Sequence, residues 1–376
     1  MRLTFGAPCG LPYALPLRPV VVTPAGPIVR RTGFVMRLTS EAGAVGLGDV
    51  APWPGFAGAS AMLDNAQELA ASWQAWAQRH LQGQHIEAPL GAEGPVSAAR
   101  AAVQRFEALT AGAPTALRGA MQTAFLDLLA HVWQRPLAQL LAPVPASSVA
   151  VHALVDSAWA AQQACAQGYT ALKIKVGRRQ LSDELGTLCA IRSVVGSDVS
   201  LRLDANGAWP RHVAEQALKI FASVAPAWIE QPVAADDLPG LCALRALNIV
   251  PIAVDESVTD SASLHAVLDA GAADGVVLKP AFVGGALSAY ALGRKVLDAG
   301  LSLCVTHALE SSVGRMAALQ VALALGATEA CGLGGALQQD PVPAPDIHNG
   351  RLLAPEGIGL GVDHALWPAA KAPCPA

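Results

Sequence analysis

Five short apolar segments of this chain each end in an ionisable residue. Lys173 and Lys175 close "ALKIKVG", Asp204 closes "LRLDANG", Glu230 "WIEQP", Asp255 "AVDES" and Lys279 "VVLKP". From Lys175 onward the steps are 29, 26, 25 and 24 residues, each about one βα unit. Lysines thus bracket three carboxylates. Three oxygen donors with no histidine or cysteine beside them make a hard site, suited to Mg2+ (with Mn2+ as a substitute ion) and completed by water and substrate oxygens. A substrate carboxylate on that ion would lie between the lysines. The chemistry this permits is removal of a proton next to a carboxylate: the metal stabilises the enediolate while a lysine takes the proton.

Lys173 and Lys175 are two apart, so they share one strand face. A neighbouring cation and partial desolvation both lower a lysine pKa, which would let one of the pair accept a proton. Plainer readings exist for each residue. "DANGAW" is compatible with an Asx turn, Glu230 with a solvated strand end, Lys279 with open surface, Lys173 with a structural ion pair. Asp255 would serve as the N-cap of the next helix with Glu256 in its first turn. An ordered series at five successive strand ends argues against five separate accidents.

The elements that must position these residues follow from periodicity. Strands are predicted at 149–155, 171–176, 199–204, 226–230, 250–255, 274–279, 301–306 and 329–333, separated by amphipathic helices such as "LSDELGTLCAIRSVVG". Gly168, Gly271 and Gly300 stand where helices stop before the next strand. Eight strands in this alternation give an α/β barrel, whose active sites gather at the C-terminal ends of the strands. The second and sixth strands oppose each other there, so Lys175 and Lys279 should face one another with the acids in the arc between. An open doubly wound sheet is the alternative, weakened by the lack of G-x-G-x-x-G after the first strand. Residues 1–115 differ: a few antiparallel strands are followed by helices, an α+β unit before a barrel over 116–345. The proline- and alanine-rich tail 346–376 is expected to pack back on the N-terminal unit.

Composition narrows the function classes. The 376 residues are 53% hydrophobic and 14% charged, with a net charge of −4, which provides a large core and no footprint for nucleic acid. No apolar run approaches the roughly 18 residues of a membrane span, and the proline-broken N-terminus makes a poor signal peptide. Seven cysteines lack a C-x-x-C pair, so reduced thiols in a cytoplasmic protein are expected, with a small-molecule carboxylate as partner. The oligomeric state is not readable.

"KIK", "LRLDANGAW", "WIEQP", "VDES" and "VVLKP" resemble the signature series of the enolase superfamily, in its muconate-lactonising enzyme subgroup. "LKPAFVGG" and "THALESSVGR" are similar to the o-succinylbenzoate synthase family, and "GLGDVAPWPGFAG" resembles that family's cap loop. The resemblance implies a (β/α)7β barrel with an α+β capping domain, completed by the tail, and Mg2+ on Asp204, Glu230 and Asp255. It implies Lys175 as acid/base and Lys279 as the cation over the other face of the substrate. The implied reaction is syn elimination of water from 2-succinyl-6-hydroxy-2,4-cyclohexadiene-1-carboxylate, giving 2-succinylbenzoate in menaquinone or phylloquinone biosynthesis. Substrate contacts are expected from Arg202, Asn206, Gly284, His307, Ser311, Ser312, Gly332 and Gly334, and from Trp53 and Phe56 of the cap. Two departures stand out: Asp49 replaces the usual glutamate of the cap motif, and His307 replaces the commoner serine. With Lys279 at the sixth strand, His307 reads as pocket lining rather than base. An N-acylamino-acid racemase is the alternative enzyme, since two opposed lysines suit two-base racemisation. A non-catalytic carboxylate-binding barrel is the alternative from another class.

Overall fold

The computed structural model describes residues 1–23, 26–53, 66–335, 339–342 and 345–366. The N-terminal unit opens with β1 (Arg2–Thr4), the long hairpin of β2 (Cys9–Thr23) and β3 (Gly26–Thr39), and β4 (Val45–Val50). These last three form an antiparallel sheet, while β1 pairs with β5 (His85–Glu87). Helices α1 (Ala66–His80), α2 (Pro95–Leu109) and α3 (Thr115–Trp133) pack on them. Their apolar faces meet around buried Phe5, Phe34, Trp73, Phe106 and Phe125.

Helix α3 is apolar on nearly all sides because it is covered on nearly all sides. It lies against β4, and two glycines make that approach possible. A Cβ at Gly46 would stand 2.1 Å from the Ala124 carbonyl oxygen, and one at Gly48 would stand 2.1 Å from that of Ala120. Asp127, in the middle of α3, accepts the amide of Leu47 at 2.8 Å and that of Leu360 at 2.7 Å. One carboxylate thereby joins the cap sheet, the helix and the C-terminal segment.

After the short α4 (Ala138–Leu141) and β6 (Ser148–Ala150), the barrel runs β7 (Ala153–Leu154), α5 (Ala158–Ala166), β8 (Ala171–Lys175), α6 (Leu181–Val195), β9 (Ser200–Asp204) and α7 (Arg211–Phe221). It continues β10 (Trp228–Glu230), α8 (Leu238–Ala246), β11 (Ile252–Val254), α9 (Ser261–Asp269), β12 (Gly275–Leu278), α10 (Ala286–Asp298), β13 (Ser302–Val305) and α11 (Ser312–Leu325). Strands β7 to β13 form one parallel sheet in sequence order. Its edges are joined by single parallel bridges, Val151 to Cys331 and Thr306 to Gly332, so the eighth segment closes the ring without a full ladder. The first expected strand, 149–155, splits around His152 into β6 and β7.

The tail β14 (Ile347–His348) and β15 (Arg351–Leu353) form an antiparallel sheet with β6. Its described part therefore pairs with the foot of the barrel rather than with the N-terminal sheet, and reaches the cap through Asp127. Residues 367–376 lie outside the described residues. The expectation of seven reduced thiols needs correction: Cys9 is disulfide-bonded, while Cys165, Cys189, Cys242, Cys304 and Cys331 are free. Among the described residues no helix is long and apolar enough to cross a membrane.

Candidate active site

Alternation places Lys173 and Lys175, Arg202 and Asp204, Trp228 and Glu230, Ala253 and Asp255, and Val277 and Lys279 on the inner face of the barrel. The lower members are packed filling. Trp228, Ala253, Val277 and Cys304 form their own buried cluster, separate from the main core. The upper members make the site. Lys173 Nζ lies 2.7 Å from Asp204 and 2.8 Å from Glu230. Lys175 Nζ donates to Asp204 at 2.6 Å and to the Asn206 side-chain oxygen at 2.7 Å. Lys279 donates to Asp255. Three strands separate β8 from β12 on one side of the ring, so Lys175 and Lys279 approach the carboxylates from opposite sides.

Local structure fixes each acid. Asp255 is not a helix cap, because α9 starts at Ser261 and is capped by Asp260, whose side chain and Ser263 form a reciprocal capping box. Gln231 instead accepts the Asp255 amide at 3.0 Å and binds Ser257. Asp204 accepts the Asn206 amide at 3.0 Å, with Asn206 itself at a φ of 46°. Gln231 and Asn206 thus hold the β11 and β9 ends as turns that keep their carboxylates aimed inward.

The electrostatics are those of buried acids crowded together. Burial would raise the Asp204 carboxyl, but Lys173 and Lys175 outweigh it and hold it below the usual range. Glu230 goes the other way, pushed up to about 8 by burial, then by the charge of Asp204, with Lys173 pulling against them and Asp255 adding to the rise. One ammonium, Lys173, serves two carboxylates, and the surplus negative charge falls on Glu230. Burial lowers the Lys173 pKa, yet Asp204, Glu230 and Asp255 together hold it well above the ordinary lysine value. Lys279 is likewise held up, its burial outweighed by Asp255, Glu256 and Glu230. Lys173 is therefore a cation clamped between two acids. Of the three lysines Lys175 is the most reachable, with 28% of its side chain exposed against 12% for Lys173 and 13% for Lys279.

The expected substrate contacts divide. Asn206 lies at the site, bridging Lys175 and, at 3.0 Å, Glu256. Arg202 is one layer below, stacked on Trp228 at 4.2 Å, bonded to Glu329 and to the Ala330 carbonyl. It is a partner for an acid inside the barrel, not a substrate ligand, because alternation fixes the face of a residue and not its depth. Ser311 is the N-cap of α11, and its amide and hydroxyl are engaged by Asp49 at 2.8 and 2.6 Å. Ser312 is held in the same way by Asp340 at 2.6 and 2.7 Å. Both hydroxyls are spent within the fold. Gly332 closes the barrel; a Cβ there would fall 2.2 Å from Thr306 Oγ1. Gly284 sits at a φ of 96° in the turn before α10. Gly334 accepts a hydrogen bond from His307 Nε2 at 3.3 Å, and His307 Nδ1 lies 3.5 Å from Glu310. Trp53 covers Arg31 at 4.8 Å, and Phe56 lies outside the described residues.

Three residues take part in ways that sequence reasoning did not assign to them. Glu256 is a fourth acid, half-buried, its pKa raised by burial and then by Asp255; its adjacency to Asp255 was the available signal. Leu154 pairs with Lys173 in register, hence shares its face, and is 63% exposed, an apolar wall beside the lysines. Asp49 reaches from β4 to α11, binding Tyr13 as well as Ser311, so "GLGD" is a strand docked on the barrel rather than a loop.

Residues 156–365 match the family described as enolase C-terminal domain-like. The chain belongs to the enolase superfamily. It is 30% identical to the N-succinyl-L-Arg/Lys racemase of Bacillus cereus over 56% of this chain and 58% of that protein. It is 35% identical to the o-succinylbenzoate synthase of Thermobifida fusca over 52% and 62%. These matches span less than two thirds of either relative. The fold extends further: the crystal structure of the Bacillus cereus racemase superposes with a TM-score of 0.82 at 22% identity, covering 96% of this chain and 95% of that one. A dipeptide epimerase from Enterococcus faecalis, complexed with Mg and the dipeptide L-Leu-L-Tyr, gives 0.82 at 24%, covering 96% and 100%. The muconate-lactonising subgroup named from the strand-end motifs is the one these relatives support, with a muconate cycloisomerase of Acinetobacter lwoffii at 31% identity over 65% of the chain. The chain is thus an α/β enzyme of that superfamily.

Proposed function

We propose that this enzyme is a Mg2+-dependent dehydratase, an o-succinylbenzoate synthase acting on 2-succinyl-6-hydroxy-2,4-cyclohexadiene-1-carboxylate in menaquinone or phylloquinone biosynthesis. The observation that carries the reading is the pair of lysines, Lys175 and Lys279, set on carboxylates from opposite sides of the ring. The donor set fits a hard divalent cation. Asp204, Glu230 and Asp255 are buried, all-oxygen and mutually repelling, and Glu230 is pushed up to about 8 by burial and then by the charge of Asp204. These three residues would hold Mg2+, which when bound supplies Lewis-acid stabilisation of charge on a substrate carboxylate.

The residues then have separate tasks. Lys175, the most reachable amine, takes the proton next to the carboxylate and returns it to the departing hydroxyl, so a single base on one face completes a syn elimination of water. Lys279 stays protonated on the opposite face, opposing the developing negative charge. Lys173 spans Asp204 and Glu230 and keeps them in place. Asn206 orients the Lys175 amine, and Leu154 offers apolar contact to the ring.

Racemisation of N-succinyl amino acids is the second reading, favoured by the same opposed lysines, since each could serve one face of an α-carbon. The segment "CGLGGALQQD" lacks a D-x-D pair to hold a peptide amine, which speaks against a dipeptide substrate. Side-by-side kcat/KM values decide: aromatic product from the cyclohexadiene, against loss of optical rotation from N-succinyl amino acids. A higher kcat/KM for the amino acids would replace the dehydratase reading. Inertness with both under Mg2+ would point to a barrel that only binds carboxylates.

A further inference from the structure

Three metal-ligating side chains meet on elements that the lysine–carboxylate site does not use. Asp127 and His131 lie one turn apart on α3, and His364 comes from the short turn His364–Leu366 of the C-terminal segment. His131 Nε2 is 3.7 Å from Asp127 Oδ1, and His364 Nε2 is 3.4 Å from Asp127 Oδ2. One ligand atom from each of the three falls within 4.8 Å of the others. Both Nε2 atoms are buried and neither has a hydrogen-bond partner. Asp127 is fully buried, with its two oxygens fixed by the Leu47 and Leu360 amides.

Two features turn this cluster into a site. Ligand atoms about 2.0–2.1 Å from a tetrahedral Zn2+ stand about 3.4 Å apart, close to the two separations observed. Gly359 packs directly against them, and only glycine fits: a Cβ there would fall 2.2 Å from Asp127 Oδ1 and 2.5 Å from His131 Nε2, colliding with two of the three ligands. Two imidazoles and a carboxylate are borderline ligands that prefer Zn2+ to Mg2+, the opposite of the all-oxygen barrel site.

We propose that Asp127, His131 and His364 form a second metal site, taking Zn2+ with water at the fourth position. The ion fastens the C-terminal segment to α3 and, through Leu47, to the cap. Its role is structural, so the dehydration chemistry does not depend on it.

The test uses the full chain, stripped of metal and then held in excess Mg2+, with Zn2+ and Co2+ as probes. We expect one Zn2+ to bind per chain and to raise Tm, and Co2+ to give the intense visible absorption of a four- or five-coordinate imidazole site. His364→Ala should weaken Zn2+ binding about a hundredfold or more and erase both signals, with Mg2+-dependent turnover unchanged; His131→Gln is the second variant, checked for folding by circular dichroism. Glu230→Gln, which disables the barrel site, should leave Zn2+ binding intact. Absence of Zn2+ binding in excess Mg2+, persistence of binding in folded His364→Ala, or its loss in Glu230→Gln would each overturn the proposal.

Discussion

Lys175 and Lys279 carry the same charge in different surroundings, and arginine separates their tasks. Guanidinium stays protonated at neutral pH and cannot serve as base, so Lys175→Arg should reduce dehydration to background. Lys279→Arg keeps the positive charge and should retain measurable turnover. Lys279→Ala should cost about 2.7–4 kcal/mol of transition-state stabilisation, the scale of losing one preorganised donor. Initial rates of aromatic product formation check all three, and a Lys279→Arg enzyme as inactive as Lys175→Arg would rule out the one-base mechanism. Glu230 predicts a pH effect. Its carboxyl is pushed up to about 8, so below that pH it holds a proton that Mg2+ must displace. Mg2+ affinity should therefore rise about tenfold per pH unit toward pH 8 and then level off. Calorimetry at pH 7 in two buffers of different ionisation enthalpy should show proton release; a pH-independent affinity would contradict it. The strand-end residues were legible because a two-residue period fixes a side chain's face. Arg202 obeys the same period yet belongs to the packed layer below, a depth set by the stagger of neighbouring strands, which no local pattern encodes.

Strand β4 and helix α11 show how elements bind cap to barrel. Asp49 accepts from Tyr13, the Ser311 amide and the Ser311 hydroxyl, and Arg31 donates to the Ala51, Pro52 and Leu309 carbonyls. Burial pushes the Asp49 carboxyl up to about 7, against the Ser311 hydrogen bond and with the help of Glu310. The sign follows: an unfolded aspartate loses its proton near pH 4 while the folded one keeps it to about pH 7. Stability from this group is full below pH 4 and lost as pH rises to 7, by up to about 1.4 kcal/mol per unit. Asp49→Asn should flatten that slope in urea unfolding at pH 4–7; an unchanged slope would assign it to other groups. Gly48→Ala should destabilise by about 1–3 kcal/mol, since the new methyl meets the Ala120 carbonyl, which is helix backbone and cannot yield. Equal Tm values for Gly48→Ala and the parent would contradict this packing. The glycines of "GLGD" were visible in the sequence, but their reason, the approach of α3, depends on residues more than 70 positions away.

At the scale of the whole molecule, the α/β barrel and its N-terminal α+β unit were readable from the alternation of strands and helices. Closure was readable too, from the eighth strand expected at 329–333, but that segment contributes only two isolated bridges, at Cys331 and Gly332, because its glycines weaken strand pairing. The tail's pairing was not readable, because β15 and β6 join residues about 200 apart, beyond any local signal. We propose that the division at 115/116 still marks the functional units, with α3 as the shared wall between cap and barrel. Metal should then act on global stability. Binding to the folded state alone adds about 2.7 kcal/mol at a hundred times Kd, so Mg2+ should raise Tm in the parent and not in Glu230→Gln; a rise of equal size in both would place the ion elsewhere. The most direct test is the appearance of aromatic product, followed in the ultraviolet, from the cyclohexadiene carboxylate supplied to metal-stripped enzyme. We expect no turnover in EDTA, full turnover on adding Mg2+, and none in either condition with Lys175→Arg. Equal rates in EDTA and Mg2+, or undiminished turnover by Lys175→Arg, would contradict metal-assisted proton abstraction at this site.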